Sequence, residues 1–596
     1  MKELDEILLK VENPGRYIGG EFGICDVKKD YDVTFCIAFP DIYEIGMSNL
    51  GIKILYDILN KDPHVLCERV FAPWPDMGDE LKKNKIELFS LETRRRLKDF
   101  DILGFSIQFE MAYTNILYML ELANIPFYSK DRDESYPLLF AGGPCTANPE
   151  PFADFFDVIC IGDGEEVNLK VSNIVRKYKG NKSKILQECK KIEGVYVPSL
   201  CSLKNGICQD RVKKAVVKDL DLAPFPENMI VPNIKIVHDR PVVELFRGCY
   251  AGCRFCQACF FYRPIRKRSS EIVLKLIENI VKNSGYEEIG ISSLSTGDYP
   301  EIEKLICSLP NLASKLNVSV QIPSLRLDSY NEELSKLTRS SGITFAPEAG
   351  TQRLRDVINK NITDEDINYT IKTAIINQCK SFKLYFMIGL PTETDADLDG
   401  IVEICERINK LYFDLTKKKN VHITVSTAVF VPKPVSPFQW VGQIGIKEMT
   451  YKQNYLYQKF RKIKNISYNW HDSKTSFIEA VLARGDRNTS KLIEKAYQKG
   501  AIFDSWGDKF DIKYWLDAAN DLGIDLNAYA GKRDLDSPLP WSFIDFGVTE
   551  NYLKNEYKRS LKGLTTIGCN YDCNICGASK FARCSQHVNK YKKGTI

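Results

Sequence analysis

Short apolar runs alternate with longer stretches of helical periodicity from Tyr31 to about Tyr178. That alternation predicts a parallel α/β sheet. The run Val33 to Phe39 is almost unbroken in its apolar character, as expected for a strand covered on both faces. Further strands are predicted at Ile102 to Ser106, Leu138 to Ala141 and Asp157 to Ile161, with helices over Asn49 to Asn60 and Tyr113 to Ala123. Pro224, Pro226 and Pro232 then punctuate a connector. A second alternating series starts at Val242 to Phe246. It continues at Glu288 to Leu294, Val318 to Ile322, Gly342 to Phe345, Ser381 to Ile388 and His422 to Phe430. Successive βα-like units of this kind suit a partial barrel, whose functional residues lie at the carboxyl ends of its strands. Past Pro432-Lys433-Pro434 the pattern becomes mainly helical and charged. The chain is therefore predicted to be α/β. Residues 1–180 form a Rossmann-like domain, 181–240 a connector, 241–445 a partial (β/α)6 barrel, and 446–596 a mainly helical region with a cysteine cluster.

Composition narrows the function classes. The 596 residues are 44% hydrophobic and 27% charged, which excludes disordered and collagen-like classes. A net charge of +4, from 82 basic and 78 acidic residues, is too small to argue nucleic-acid binding by itself. The opening residues lack the apolar stretch of a signal peptide, and the most apolar helical stretch, around Phe105 to Phe127, is broken by Glu110 and Glu121. A soluble cytoplasmic protein is expected. Nineteen cysteines exceed what packing needs. A disulfide framework is not expected in a reducing compartment, so the clustered cysteines read as metal or redox sites and scattered ones such as Cys25, Cys36 and Cys67 as small core residues.

Two clusters share the spacing C-x3-C-x2-C: Cys249, Cys253 and Cys256, then Cys569, Cys573 and Cys576. Three thiolates on a tight loop can hold three irons of a 4Fe–4S cluster and leave the fourth open. Structural zinc is the alternative, with Cys259 as a fourth ligand. The first cluster, with Phe255 just before its last cysteine and a strand before its first, resembles the radical S-adenosylmethionine (SAM) superfamily. The resemblance implies that Cys249, Cys253 and Cys256 hold the cluster and that Phe255 contacts adenine. It places further SAM contacts at Thr296, Gly297 and Asp298 after the second strand and at Ser324 and Arg326 after the third. Glu348 after the fourth strand would meet the ribose.

In the amino-terminal region, Asp41, Tyr43 and Gly46, then Ser106, then Gly142 and Gly143, follow successive strands. Their order resembles the motifs of cobalamin-binding domains. Ligands bind at the carboxyl ends of parallel strands, where glycines let backbone approach a flat, bulky ring. Tyr43 stands where those domains carry a cobalt-ligating histidine, and Gln108 where they carry leucine. A cobalamin bound here is expected to lack an axial histidine from this loop. Gly162-Asp163-Gly164-Glu165-Glu166 also resembles cobalamin-binding radical SAM proteins.

The second cluster follows a helical pattern instead of a strand, with Cys584 and His587 downstream. It reads as an auxiliary iron–sulfur cluster or a zinc site on Cys569, Cys573, Cys576 and Cys584. Arg484 to Arg487 reads as a solvated turn or an anion contact. Whole-chain resemblance is to radical SAM proteins with an amino-terminal cobalamin-type domain and a cysteine-rich carboxyl terminus. It implies reductive cleavage of SAM to a 5′-deoxyadenosyl radical, an electron donor such as flavodoxin or ferredoxin, and cobalamin-dependent methylation of an unactivated C–H bond. The enzymatic alternative is sulfur insertion or dehydrogenation without working cobalamin. The alternative from another class is a metal-stapled nucleic-acid-binding protein without turnover. The basic run Arg263 to Arg268, expected at the barrel mouth, would suit an RNA substrate.

Overall fold

A computed structural model describes residues 2–204, 206–321 and 342–584. The first sheet contains β1 (Val33–Phe39), β2 (Val65–Phe71), β3 (Ile102–Ser106), β4 (Leu138–Gly142), β5 (Val158–Cys160) and β6 (Val195–Tyr196). Their order is β2-β1-β3-β4-β5-β6, parallel except for β6. Every residue of β1 is buried, because helices cover both faces of the sheet. The helix Leu50–Lys61 starts where the Asn49 side chain accepts from the Ile52 amide at 3.2 Å.

Strand β2 escapes the hydrophobic pattern because Glu68 and Arg69 interrupt it. Both are nonetheless buried. Glu68 accepts from the hydroxyls of Ser90 and Thr93 at 2.6 and 2.9 Å, and Arg69 pairs with Glu92 at 2.7 Å and Glu21 at 3.0 Å. Strand β6 extends this sheet past residue 180, into the segment read as a connector.

The second series contains two all-parallel sheets. One is β7 (Val242–Glu244), β8 (Glu288–Ser292) and β9 (Ser319–Gln321); the other is β10 (Gly342–Glu348), β11 (Ser381–Ile388), β12 (His422–Val429) and β13 (Ile466–Trp470). Strand β13 lies beyond residue 445, in the region read as helical. It is an edge strand with mostly exposed or half-exposed side chains, so it carries little hydrophobic signal.

The helices Ser473–Arg484, Thr489–Lys499 and Ile512–Leu522 pack on the amino-terminal helix Tyr113–Leu122 in one apolar core. Arg484 is neither a solvated residue nor an anion contact: it is fully buried and donates to the Ala530 carbonyl at 2.7 Å. Arg487 pairs with Glu150 and Asp154, tying this region to the first sheet. Cys201 and Cys208, one on each arm of a short hairpin, form a disulfide with Cα atoms 5.9 Å apart, contrary to the expectation of free thiols. Among the described residues no helix is long and apolar enough to cross a membrane.

Asp504 sits in this interface, accepting from the Thr114 hydroxyl at 3.2 Å. Burial lifts its carboxyl to about 7 from an ordinary 3.8. A raised folded value means that the folded chain holds a proton the unfolded chain has released. Its contribution to stability is therefore complete below pH 3.8 and is lost as pH rises through about 7. Asp504→Asn should keep the Thr114 hydrogen bond and stabilise the protein by about 2–4 kcal/mol at pH 8, with little gain at pH 4. Melting temperatures across that range check it; an equal change at both ends would contradict it.

Candidate active site

The first cysteine loop begins where Phe246–Arg247 pairs antiparallel with Arg266–Lys267, directly after β7. Cys249 and Cys253 are buried and Cys256 is partly so. The Cys259 thiol hydrogen-bonds with all three, which raises its own pKa well above the ordinary value and lowers that of Cys256. Three sulfurs therefore lie within hydrogen-bonding reach of the Cys259 thiol, and this neighbourhood is decided by the short helix Gln257–Phe261 that follows the loop.

Arg254 fixes the loop from behind. It is fully buried, pairs with Glu556 at 3.0 Å, and donates to the carbonyls of Val357 and Leu564 at 3.0 and 2.6 Å. Asn359 holds the Gly252 carbonyl at 3.0 Å. The three sulfurs predicted to bind a cluster are thus brought together on a rigid loop, and their chemistry fits that group.

Thr296, Gly297 and Asp298 form a single 3-10 turn after β8. Thr296 is buried with its hydroxyl 2.9 Å from that of Ser293, and Asp298 accepts from Ser295 and from Asn570. Glu348 ends β10 with φ of 69°, a left-handed conformation that a non-glycine residue adopts at a cost. Its carboxylate pairs with Lys360 at 3.0 Å. Phe255 is partly buried against the core. Ser324 and Arg326 lie outside the described residues, as does His587.

A cavity of about 410 Å³ opens between the carboxyl ends of β3, β4 and β5, with Phe35 and Ile37 of β1 beneath, and the start of the cysteine loop. Ser106, Gln108, Gly142 and Gly143 line one side; Phe246, Arg247, Gly248, Phe261 and Tyr262 line the other. A Cβ built at Gly142 meets nothing nearer than Cys160 at 3.9 Å, so the glycine leaves open space at the cavity edge. Arg247 joins the two sides by pairing with Asp163, Glu165 and Glu244.

Asp41, Tyr43 and Gly46 are not among the lining residues. Asp41 accepts from the Trp506 indole at 3.0 Å, Tyr43 donates to Glu21 at 3.0 Å, and a Cβ at Gly46 would strike Phe71 at 2.2 Å. This first motif serves packing, and its three residues separate from the Ser106, Gly142 and Gly143 set.

The basic run is not a surface. Arg263, Arg266 and Arg268 are 1%, 3% and 1% exposed, and Lys267 pairs with Glu301. Arg266 binds Asp163 and Arg268 donates to the Leu220 carbonyl, so the charges are consumed internally. Sequence reasoning also missed Glu110, which joins Glu479 in holding Lys433 at 2.7 and 2.8 Å beyond β12. No local signal marks this group, since its members come from three separate regions.

Residues 51–198 match the family model for radical SAM proteins, N-terminal, and residues 243–405 match that of the radical SAM superfamily. An uncharacterised protein of Methanocaldococcus jannaschii is 28% identical over 491 residues, covering 80% of this chain and 96% of that one. A threonylcarbamoyladenosine tRNA methylthiotransferase of Chlamydia pneumoniae is 23% identical over 28% of this chain and 42% of its own length. Among solved structures, the radical SAM methyltransferase TsrM from Kitasatospora setae, with cobalamin and a 4Fe–4S cluster bound, is 12% identical with a TM-score of 0.46, over 66% of this chain and 74% of that one.

Proposed function

We propose that this chain is a radical SAM enzyme acting on an unactivated C–H bond, with a corrinoid in the cavity beside the cysteine loop and methylation as the outcome. The observation that carries this reading is continuity. The cavity wall runs through Gly248, next to the first cysteine, and through Tyr262, just past Cys259.

A 4Fe–4S cluster held by such a loop would supply the one-electron reduction on which SAM cleavage depends. The protein holds and shields that chemistry. Cys249, Cys253 and Cys256 would hold the cluster, leaving one iron free for SAM, while Asp298 and Glu348 offer carboxylates to its polar groups. Phe246, Phe261 and Tyr262 would give a bound group an apolar wall. Ser106, Gln108, Gly142 and Gly143 would receive the corrinoid. Asp41, Tyr43 and Gly46 are committed to packing and would not take part in holding the corrinoid. A flavodoxin or ferredoxin is the class of electron donor proposed.

Gly142→Leu tests the cavity. The substitution has room at the backbone but projects into the space a corrinoid needs. Retention of hydroxocobalamin should fall at least about tenfold while the melting temperature and iron content stay at wild-type values. Unchanged retention, or none in the wild type, would remove the corrinoid from the reading.

The methylthiotransferase relatives favour a second reading, sulfur insertion without a working corrinoid. Product mass separates the two: a methyl group added in one case, a methylthio group in the other. RNA as the substrate rests on the named substrate of one such relative, since the basic run is internal. A nucleic-acid-binding protein without turnover would leave SAM intact.

A further inference from the structure

The carboxyl-terminal cysteine segment lies directly on the first cysteine loop. The Cys569 amide donates to the Tyr250 carbonyl at 2.7 Å, and Asn570 donates to Asp298 at 3.2 Å. Thr566 is held from both sides: its amide donates to Asn359 at 2.7 Å, and its carbonyl accepts from Asn361 at 2.8 Å. Cys584 stands in the electrostatic neighbourhood of Cys569 and Cys576. Cys573, by contrast, is exposed.

Two buried side chains face this group with unused donors. Arg263 is 1% exposed, donates through Nη2 to the Ala251 carbonyl at 3.2 Å and lies over the Phe260 and Tyr552 rings at 5.0 and 5.8 Å, but its Nε and Nη1 have no hydrogen-bond partner. Its charge is felt by Cys569 and Cys576 on one side and Cys259 on the other. Tyr250 is fully buried beside Cys569, Cys584 and Cys249, and its hydroxyl also lacks a partner. Unpaired donors this deeply buried are costly, and they call for an acceptor that the protein does not itself supply. A single zinc ion would take four closed ligands and present only thiolate sulfurs. A cluster with bridging sulfides works with three protein thiolates and adds acceptors for N–H and O–H groups.

We propose that Cys569, Cys576 and Cys584 hold a second iron–sulfur centre, lodged against the first cysteine loop. Arg263 and the Tyr250 hydroxyl donate to its sulfurs, and Cys573 lies outside the ligand set. The site also reaches the SAM-contact turn through Asn570, so its occupancy is coupled to the position of Asp298. It rests on the reading of the first loop for the identity of its neighbour, not for its own ligands.

The test uses the full chain, reconstituted anaerobically with iron and sulfide. The variant C249A/C253A/C256A should keep about half of the wild-type iron and sulfide, with a reduced-state electron paramagnetic resonance signal that SAM does not perturb. The variant C569A/C576A/C584A should keep the other half, with a signal that SAM does perturb. Cys573→Ala should keep all of the iron. Zinc in place of iron, loss of iron in Cys573→Ala equal to that in Cys576→Ala, or no iron in a folded first-loop variant would each overturn the proposal. Arg263→Lys covers the case in which the triple variants do not fold. It should keep full iron while shifting the midpoint potential of the SAM-insensitive signal; an unmoved potential counts against the assignment. A first loop without iron beside an iron-bearing second site would sink the radical SAM reading and leave this one standing.

Discussion

Cys253→Ala should abolish 5′-deoxyadenosine formation, by at least about a thousandfold, and remove about four irons from the chain. Cys253 lies in the middle of the loop and is buried, so no solvent ligand readily replaces its sulfur. Cys259→Ser supplies the discriminating control. Its thiol touches the other three sulfurs, but the radical SAM assignment gives it no ligand role. The serine variant should therefore retain the irons and most of the deoxyadenosine. A four-cysteine zinc site would instead lose its metal in both variants. Metal and sulfide quantitation with SAM-cleavage analysis on the two proteins separates these outcomes. Equal metal loss in both would replace the cluster with zinc.

Arg247→Met should cost about 3–5 kcal/mol of stability at neutral pH, the usual penalty for stripping the partner from buried charges. Arg247 reaches Glu244 at 2.8 Å, Asp163 at 3.2 Å and Glu165 at 2.5 Å, and so joins the second series of strands to the first sheet across the cavity. Without it three carboxylates crowd one partly buried site, with Arg266 left for Asp163. Burial pushes Asp163 up, but Arg266 and Arg247 together hold it well below the usual carboxylate range. A depressed folded value contributes stability that is complete above the unfolded value of 3.8 and is lost as pH falls through the folded one. The deficit of Arg247→Met relative to wild type should accordingly be largest near pH 7 and shrink in acid. Denaturant unfolding at pH 7 and at about pH 2 measures both values, and a deficit independent of pH would show that packing, not charge pairing, sets the loss.

The positions legible in advance share one property: their signal is local. A continuous apolar run marks β1, and a one-loop spacing marks Cys249, Cys253 and Cys256. The turn at Thr296 to Asp298 falls directly after its strand. The positions that were not legible depend on partners far along the chain. Glu68 and Arg69 read as surface charges until Ser90, Thr93, Glu21 and Glu92 are seen around them. Arg263, Arg266 and Arg268 read as an exposed patch until burial takes all three from the surface and internal acceptors engage Arg266 and Arg268. Asp41 and Tyr43 read as ligand contacts until Trp506 and Glu21 claim their polar atoms.

By itself, then, the sequence determined the two series of parallel strands and the thiols of the first loop. Strand periodicity and short-loop spacing are properties of neighbouring residues, and no distant partner alters them. Only the tertiary structure decided which cavity adjoins that loop, which motif residues line it, and that the second cysteine segment lies against the first. Those outcomes are set by where buried charges and hydrogen-bonding groups find partners, and such partners stand tens to hundreds of residues away.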